Sequence, residues 1–329
     1  MVLVTGASGF LGGALVRQLV ADGVAVRIIK RSHSDISHLD DIRDKIDISE
    51  GDVLDIPSLE IAMEGVDCIY HSAAVIGYDA SYYDAMYKCN IEGTANVVNT
   101  ALYKGVRRIL HVSSIAAIGG KPEELITENT KWEKNQWTTH YGITKMLAER
   151  EIWRGIQEGL EGVIVNPGII IGTSHNHNKA TMRVFKQIAS RKMPFYTNGT
   201  NGFIDVRDVV NCSIQLMNGP FQADRYILIA ENRTFKSYFE AIARQLQVPA
   251  PRFALNKWIG FAAAAADRFA SWLVPSRKRG ISSENLKVSL ETFRYSNDKI
   301  KQALNYQFTP LEDTIAIIAQ QISTDNGRT

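Results

Sequence analysis

A strand that runs straight into a glycine turn and then a helix constrains this chain more than any other stretch. Val2-Leu3-Val4 is a short apolar strand, Gly6, Gly9 and Gly12 recur at every third position, and Ala14 to Val20 has helical apolar spacing. Such a turn aims free backbone N–H groups and the positive helix end at an anion. Gly6 allows the tight turn, Gly9 the approach of a pyrophosphate, and Gly12 the close packing of helix on strand. A glycine triplet alone also describes a turn without a ligand. Lodged between strand and helix it reads as a dinucleotide-binding site, with Gly6, Ser8, Gly9, Phe10 and Leu11 as candidate cofactor-binding residues.

The same alternation continues. Val24–Ile29 reads as a strand, as do a short stretch near Asp47–Ser49, then Val66–Tyr70, Arg108–Val112 and the run from Gly162. Helices are expected over Ile56–Met63, from Asn90 to Ala101, and from Tyr141 onward. The stretch Lys121–Thr139 reads as a polar loop rim. Regular alternation implies a parallel sheet covered on both faces. The expected fold is α/β: a Rossmann-type doubly wound parallel sheet over residues 1–172, with a smaller C-terminal substrate-binding domain over 173–329. Residues 203–219 are expected to pack back onto the first domain, as a strand and a helix with Asp208 as N-cap. Tyr226–Ala230 reads as a strand, Lys236–Val248 as a helix, and the end of the chain as two short helices.

Composition narrows the partners. At 329 residues the chain can hold one large unit or two joined domains. A formal net charge of +2 makes no bulk electrostatic case for nucleic acid or membrane. The three cysteines, Cys68, Cys89 and Cys212, are far apart and form neither a disulfide framework nor a zinc pattern, which fits a reducing compartment. Met1 leads directly into the first strand, leaving no room for a signal peptide, so a cytoplasmic location is expected. His175 and His177 have no acidic neighbour or third ligand, so they read as a solvated loop and no metal is expected. Trp258–Val274 is apolar but barely long enough to cross a bilayer and carries Asp267 and Arg268. It reads as a core or interfacial helix, and surface association through 258–280 is the weaker alternative to no membrane contact.

The end of the second strand bears on the cofactor. NAD-binding versions of the motif carry an acid about 20 residues after the glycines, on the ribose hydroxyls. This chain has Lys30-Arg31-Ser32 there. Two cations suit a 2′-phosphate, so NADP is expected over NAD.

Tyr141 and Lys145 stand four apart, on one face of a helix. Upstream, Ser113-Ser114 end a strand of the same sheet, at the carboxyl edge where ligands gather. Reducing a carbonyl requires a proton for the oxygen while hydride reaches the carbon. Tyrosine's reference pKa of about 10 is too high for ready exchange near neutrality. A lysine ammonium about 4 Å away favours the phenolate by roughly 4 kcal/mol at an effective dielectric of ~20. That brings tyrosine toward a useful general acid–base, and Ser114 would donate a second hydrogen bond to the same oxygen.

Thr5-Gly-Ala-Ser-Gly-Phe-Leu-Gly12, Gly51-Asp52-Val53, His71-Ser-Ala-Ala74, Asn90-Ile-Glu-Gly-Thr94, Val112-Ser-Ser114, Tyr141-Gly-Ile-Thr-Lys145, Asn166-Pro-Gly168 and Asp205-Val-Arg-Asp208 occur in that order. With these, nearly the whole chain resembles the extended short-chain dehydrogenase/reductase family. The resemblance implies Ser114, Tyr141 and Lys145 as the catalytic set, with Gly119 five residues after Ser114 selecting the second serine. It assigns Asp52 and Val53 to the adenine and Ala73, Ala74 and Ser113 to the cofactor cleft. It also sets Pro167, Gly168 and Ile170 against the nicotinamide, with Tyr141 and Lys145 touching cofactor as well. Asn90 is expected to be structural. Ile115-Ala116 stand where dehydratases of the family carry an Asp-Glu pair. What remains resembles the dihydroflavonol-4-reductase-like and 3β-hydroxysteroid-dehydrogenase-like branch, acting on ketones, aldehydes or alcohols. A sugar-nucleotide epimerase that keeps NAD bound and a silent NADPH-binding sensor are the alternatives. The resemblance also implies a homodimer through the helices near 90–104 and 141–159, with Ile143, Met146, Leu147 and Ile152 as candidate contacts.

Overall fold

The computed structural model describes residues 1–77, 80–173, 179–256 and 283–326. Trp258–Val274, residues 258–280, His175 and His177 therefore lie outside the described residues. In chain order the first part comprises β1 (Val2–Thr5), α1 (Phe10–Ala21), β2 (Val26–Lys30), β3 (Ile46–Glu50), α2 (Ile56–Ala62) and β4 (Cys68–His71). It continues through α3 (Tyr83–Met86), α4 (Gly93–Tyr103), β5 (Arg108–Val112), α5 (His140–Gln157) and β6 (Glu161–Pro167). The second part comprises β7 (Ile169–Ile171), α6 (Lys179–Ala189), β8 (Thr200–Asp205), α7 (Val206–Asn218), β9 (Asp224–Leu228), β10 (Glu231–Thr234) and α8 (Phe235–Gln245). It ends with α9 (Ser283–Ser289), α10 (Asp298–Leu304) and α11 (Leu311–Asn326).

Seven strands form one parallel sheet in the order β9-β6-β5-β4-β1-β2-β3. Alternation decides the faces. Val4, Ile28, Tyr70 and Leu110 meet α1 and α7 through Leu15, Val16, Leu19, Val209 and Val210. Leu3, Ile29, Ile69, Ile109 and Ile164 meet the helices opposite through Leu59, Val97, Val98 and Ile152. After residue 172 the chain returns to this sheet, since α7 packs on α1 and β9 pairs with β6. A second sheet, β10-β8-β7, is covered by α6, α8 and α11 through Phe185, Ile242, Ile315 and Ile318.

Several local expectations change. Helical structure begins with a 3-10 turn over Ala80–Tyr82, becomes α-helical at Tyr83 and reaches α4 through a π turn over Tyr87–Glu92, so Asn90 lies inside a helix. The Thr94 hydroxyl donates to the Asn90 carbonyl at 2.6 Å, an alternative partner of the kind that accompanies a widened turn. The N-cap of α7 is Asp205, whose carboxylate accepts from the Arg207 N–H at 2.7 Å. Asp208 is instead taken up by the Tyr306 hydroxyl and by the backbone and hydroxyl of Thr309. The last helix is not short, running for 16 residues. Within the 121–139 rim, Leu125–Ile126 pairs in parallel with Arg294–Tyr295.

Candidate active site

The glycine turn lies at the carboxyl end of β1, between β2 and β4, where the strand order reverses. Gly6 has φ +76°, and a Cβ there would sit 2.7 Å from the Ala73 nitrogen, so the turn lies directly on the chain leaving β4. A Cβ at Gly12 would lie 2.2 Å from the Gly6 carbonyl oxygen, which makes glycine the only residue that closes this corner. The cradle fits a dinucleotide: it is built of backbone, opens at a helix N-terminus, and borders cavities on both sides.

One cavity, about 100 Å³, lies beyond β2 and is lined by Gly6, Ser8, Lys30, Arg31, Asp52, Val53 and Ala73. Ser34 and Cys89 line it too and were missed by the sequence reading. Ser34 had a local signal, since its N–H closes a turn on the Arg31 carbonyl at 2.9 Å. The Lys30 ammonium donates to the Arg31 and Ser32 carbonyls at 3.2 Å each, curling the basic turn over the cavity edge.

The other cavity, about 540 Å³, also starts at Gly6. Gly9, Phe10, Leu11 and Ala74 form its near wall, and Ser113, Ser114, Tyr141 and Lys145 its floor. Pro167, Gly168 and Ile170 form the side toward the second sheet. Every site residue named from the sequence thus borders one of two adjoining cavities.

Local bonds set the floor. The Thr139 hydroxyl accepts from the Gly142 N–H at 3.0 Å and starts α5, which puts Tyr141 in its first turn and Lys145 one turn on. A Cβ at Gly142 would stand 2.6 Å from the Ala116 carbonyl oxygen, so α5 abuts the 115–117 turn. The two serines diverge. Ser113 is buried and donates to Glu149 at 2.5 Å, whereas the Ser114 oxygen caps the next turn, accepting from Ala116 N–H at 3.2 Å. Asn166 donates to the same Glu149 oxygen at 2.6 Å and to the Ser114 carbonyl at 2.9 Å. Arg225 lies 3.4 Å from the other Glu149 oxygen. Glu149 therefore ties the Ser113–Ser114 corner to the Asn166–Pro167 corner. The sequence reading missed it, although it stands one helical turn beyond Lys145.

Lys145 is 1% exposed, donates to the Val112 carbonyl at 2.8 Å, and lies 3.2 Å from His111 Nε2. Burial pulls its ammonium down from 10.5 to about 8, against the opposing pull of the Glu149 carboxylate. An ammonium only donates, so His111 accepts at Nε2 and its buried Nδ1 lacks a partner among the described residues. His111 stacks at 5.1 Å on His71. Thr94 spends its proton on Asn90, so His71 donates through Nε2 at 2.9 Å and accepts from Thr5 at 2.7 Å. Burial, and then the Lys145 charge, hold both imidazoles well below their ordinary range, His71 at about 3. Lys145 thus meets the neutral His111 ring, which the neutral His71 ring backs from behind. The Asn90 side chain clamps Val75 N–H and C=O and the Thr144 hydroxyl, fastening the loop after β4 to α5.

The outer wall of the large cavity is apolar. Ile76, Ile169 and Ile171 face Val184 of α6, and Phe203, Phe235, Tyr238 and Phe239 complete the wall. Phe203 and Tyr238 lie 4.7 Å apart, ring to ring. Lys145 is the one charged side chain among the described residues lining this cavity. The aromatic wall carried no motif; its only trace in the sequence is the 235, 238, 239 spacing.

A family model described as the NAD dependent epimerase/dehydratase family matches residues 2–229. The sterol demethylase protein B of Methylococcus capsulatus is 31% identical over 253 residues, covering 77% of this chain and 76% of that protein. A putative dihydroflavonol 4-reductase of Synechocystis is 29% identical, covering 95% and 92%. Among solved structures, that of gox2253 superposes with a TM-score of 0.85 at 28% identity, covering 100% of this chain and 99% of the other. A parallel seven-stranded sheet, a glycine cradle at its switch point and a match over most of the chain leave one conclusion: this protein belongs to the NAD-dependent epimerase/dehydratase family of extended short-chain dehydrogenases/reductases, NAD(P)-dependent enzymes acting on CH–OH and C=O groups.

Proposed function

We propose that the enzyme uses NADP(H) to reduce an apolar ketone or aldehyde, or to oxidise the corresponding alcohol, with Tyr141 as proton donor. The observation that carries this reading is the large cavity, in which Tyr141, Ser114 and Lys145 face an otherwise uncharged wall of isoleucines and aromatic rings. A nucleotide sugar would bring two phosphates to that wall, where no described cation stands. This disfavours the epimerase reading, as do Ile115-Ala116 against a dehydratase.

A nicotinamide cofactor held in the glycine cradle would supply hydride for the carbonyl carbon. Tyr141 gives its proton to the carbonyl oxygen, and the Ser114 hydroxyl donates to that same oxygen as charge develops on it. Lys145, held by Val112 and His111, presents its cation to the tyrosine and to the ribose. The apolar wall excludes water and strengthens each of these interactions. Lys30 and Arg31 at the rim of the small cavity support the choice of NADP over NAD. On this reading the enzyme works in the cytoplasm as a homodimer through α4 and α5. Ile143 and Leu147 remain half-buried for that contact, whereas Met146 and Ile152 are buried within the chain itself.

The test is a panel of apolar carbonyl compounds followed by NADPH oxidation. Tyr141→Phe should lower kcat about 10²–10⁴-fold with cofactor affinity kept, and Ser114→Ala about 10²–10³-fold. A Tyr141→Phe enzyme that retains most of its turnover refutes the assignment.

A further inference from the structure

The net charge of the chain hides a local concentration of cations. Helix α6 has two unlike sides. Met182, Phe185 and Ile188 enter the core, and Thr181 and Val184 line the large cavity. Arg183 and Lys186 point outward and are exposed. The chain then folds over the end of the helix, with Ser190 donating to the Lys186 carbonyl and the Lys192 N–H to that of Gln187. This turn exposes Arg191 and Lys192 beside Lys186. Arg252 is drawn to the same place, its N–H donating to the Pro194 carbonyl at 3.0 Å, and Phe253 pairs in parallel with Phe195.

The five cations make no side-chain hydrogen bond or ion pair among the described residues. Glu240, on the adjoining α8, is occupied by Lys236 at 3.8 Å. Next to them Phe195 and Phe253, with ring centroids 6.0 Å apart, are 45% and 60% exposed. Unpaired cations around an outward aromatic pair are what an interfacial protein turns toward lipid, the rings entering the headgroup boundary and the cations meeting its charge.

We propose that this face, the outer side of α6 with the 195–196/253–254 ribbon, docks on an anionic phospholipid bilayer. The exposed ring pair selects a bilayer over a purely acidic protein, which leaves the rings in water; a single-stranded polynucleotide also stacks on such rings, and the RNA arm of the test separates it. The sequence continues the same chemistry, since the chain leaves the ribbon at Asn256 for the apolar run Trp258–Val274 and then Arg277-Lys278-Arg279. The proposed surface itself consists of described residues only. Docking brings the cavity wall within one helix diameter, about 10 Å, of the lipid. An apolar carbonyl compound is concentrated in that phase. The docking does not rest on the proposed reaction and is tested without it.

The experiment is flotation of the purified full-length chain with vesicles of phosphatidylcholine alone, or of phosphatidylcholine mixed with phosphatidylserine. The expected result is co-flotation with the phosphatidylserine vesicles only, reversed by high salt. A surface cation is worth about fivefold in affinity to such a membrane. A variant combining Lys186→Gln, Arg191→Gln and Lys192→Gln should therefore bind roughly a hundredfold more weakly. Phe195→Ser with Phe253→Ser should weaken binding while leaving its salt dependence intact. All five positions are exposed, so NADPH binding should be unchanged in both variants, which separates lost docking from lost folding. Three results would overturn the proposal: no flotation with anionic vesicles, flotation undiminished in the triple variant, or binding to soluble polyglutamate or RNA without binding to vesicles.

Discussion

Replacing Lys145 by methionine keeps most of the buried aliphatic stem and removes the charge, and the structure sets the pH range over which this is felt. The Lys145 ammonium falls from 10.5 in an unfolded chain to about 8 in the folded one, chiefly through burial. Below pH 8 both states hold the proton and the folded state carries the full penalty. Between pH 8 and 10.5 the unfolded chain keeps a proton that the folded chain has released, so stability rises with pH in this window. The fall from 10.5 to about 8 amounts to roughly 3 kcal/mol at about 1.36 kcal/mol per pH unit. The variant has no such group. Its lost bonds to Val112 and His111 move its stability by a nearly pH-independent amount of about 1–3 kcal/mol per stranded acceptor. The measurement is urea unfolding of both cofactor-free proteins across this window. The stability of the natural protein relative to Lys145→Met should climb by roughly 3 kcal/mol from pH 7.5 to 10.5. A difference that stays flat with pH would refute the buried, destabilised ammonium and the tuning role built on it.

Other changes follow from the same geometry. Arg31→Asp should erase or reverse a preference for NADPH over NADH of about ten- to hundredfold, since it replaces a charge-assisted phosphate contact by a repulsion; equal dissociation constants for the two cofactors in the unmutated protein would contradict this. Gly12→Ala forces a Cβ to within 2.2 Å of the Gly6 oxygen. The corner must open, at a cost of about 1–3 kcal/mol, so both the melting temperature and nucleotide affinity should drop, and a variant that binds NADPH normally would show the turn to be slack. Light scattering at micromolar concentration should give the mass of a dimer, and a monomer mass would exclude the α4–α5 contact.

What could be read along the chain was whatever local backbone rules determine. The Val2–Val20 strand, turn and helix depend on φ freedom at Gly6 and on nearest-neighbour spacing. The strands ending at His71 and Val112 are short apolar runs that only a buried parallel sheet accommodates. Tyr141 and Lys145 share a face because a helix repeats every 3.6 residues. Those features hold wherever such a segment folds. The boundary of α7 escaped because two aspartates three apart are equal candidates locally. Asp205 is the cap and is also held by the Thr314 hydroxyl, while Tyr306 and Thr309, about a hundred residues away, engage Asp208. The aromatic wall of the cavity is likewise assembled from Ile76, Val184, Phe203 and the start of α8. Each is an ordinary apolar residue in its own segment. The division of labour between Ser113 and Ser114 depends on Glu149 and Asn166, brought together where α5 packs on β6. Even the basic face of α6 vanishes in a near-neutral total. Tertiary packing alone decides which buried polar groups find partners and which charges are left facing outward, because those contacts join residues whose separation along the chain carries no periodic signal.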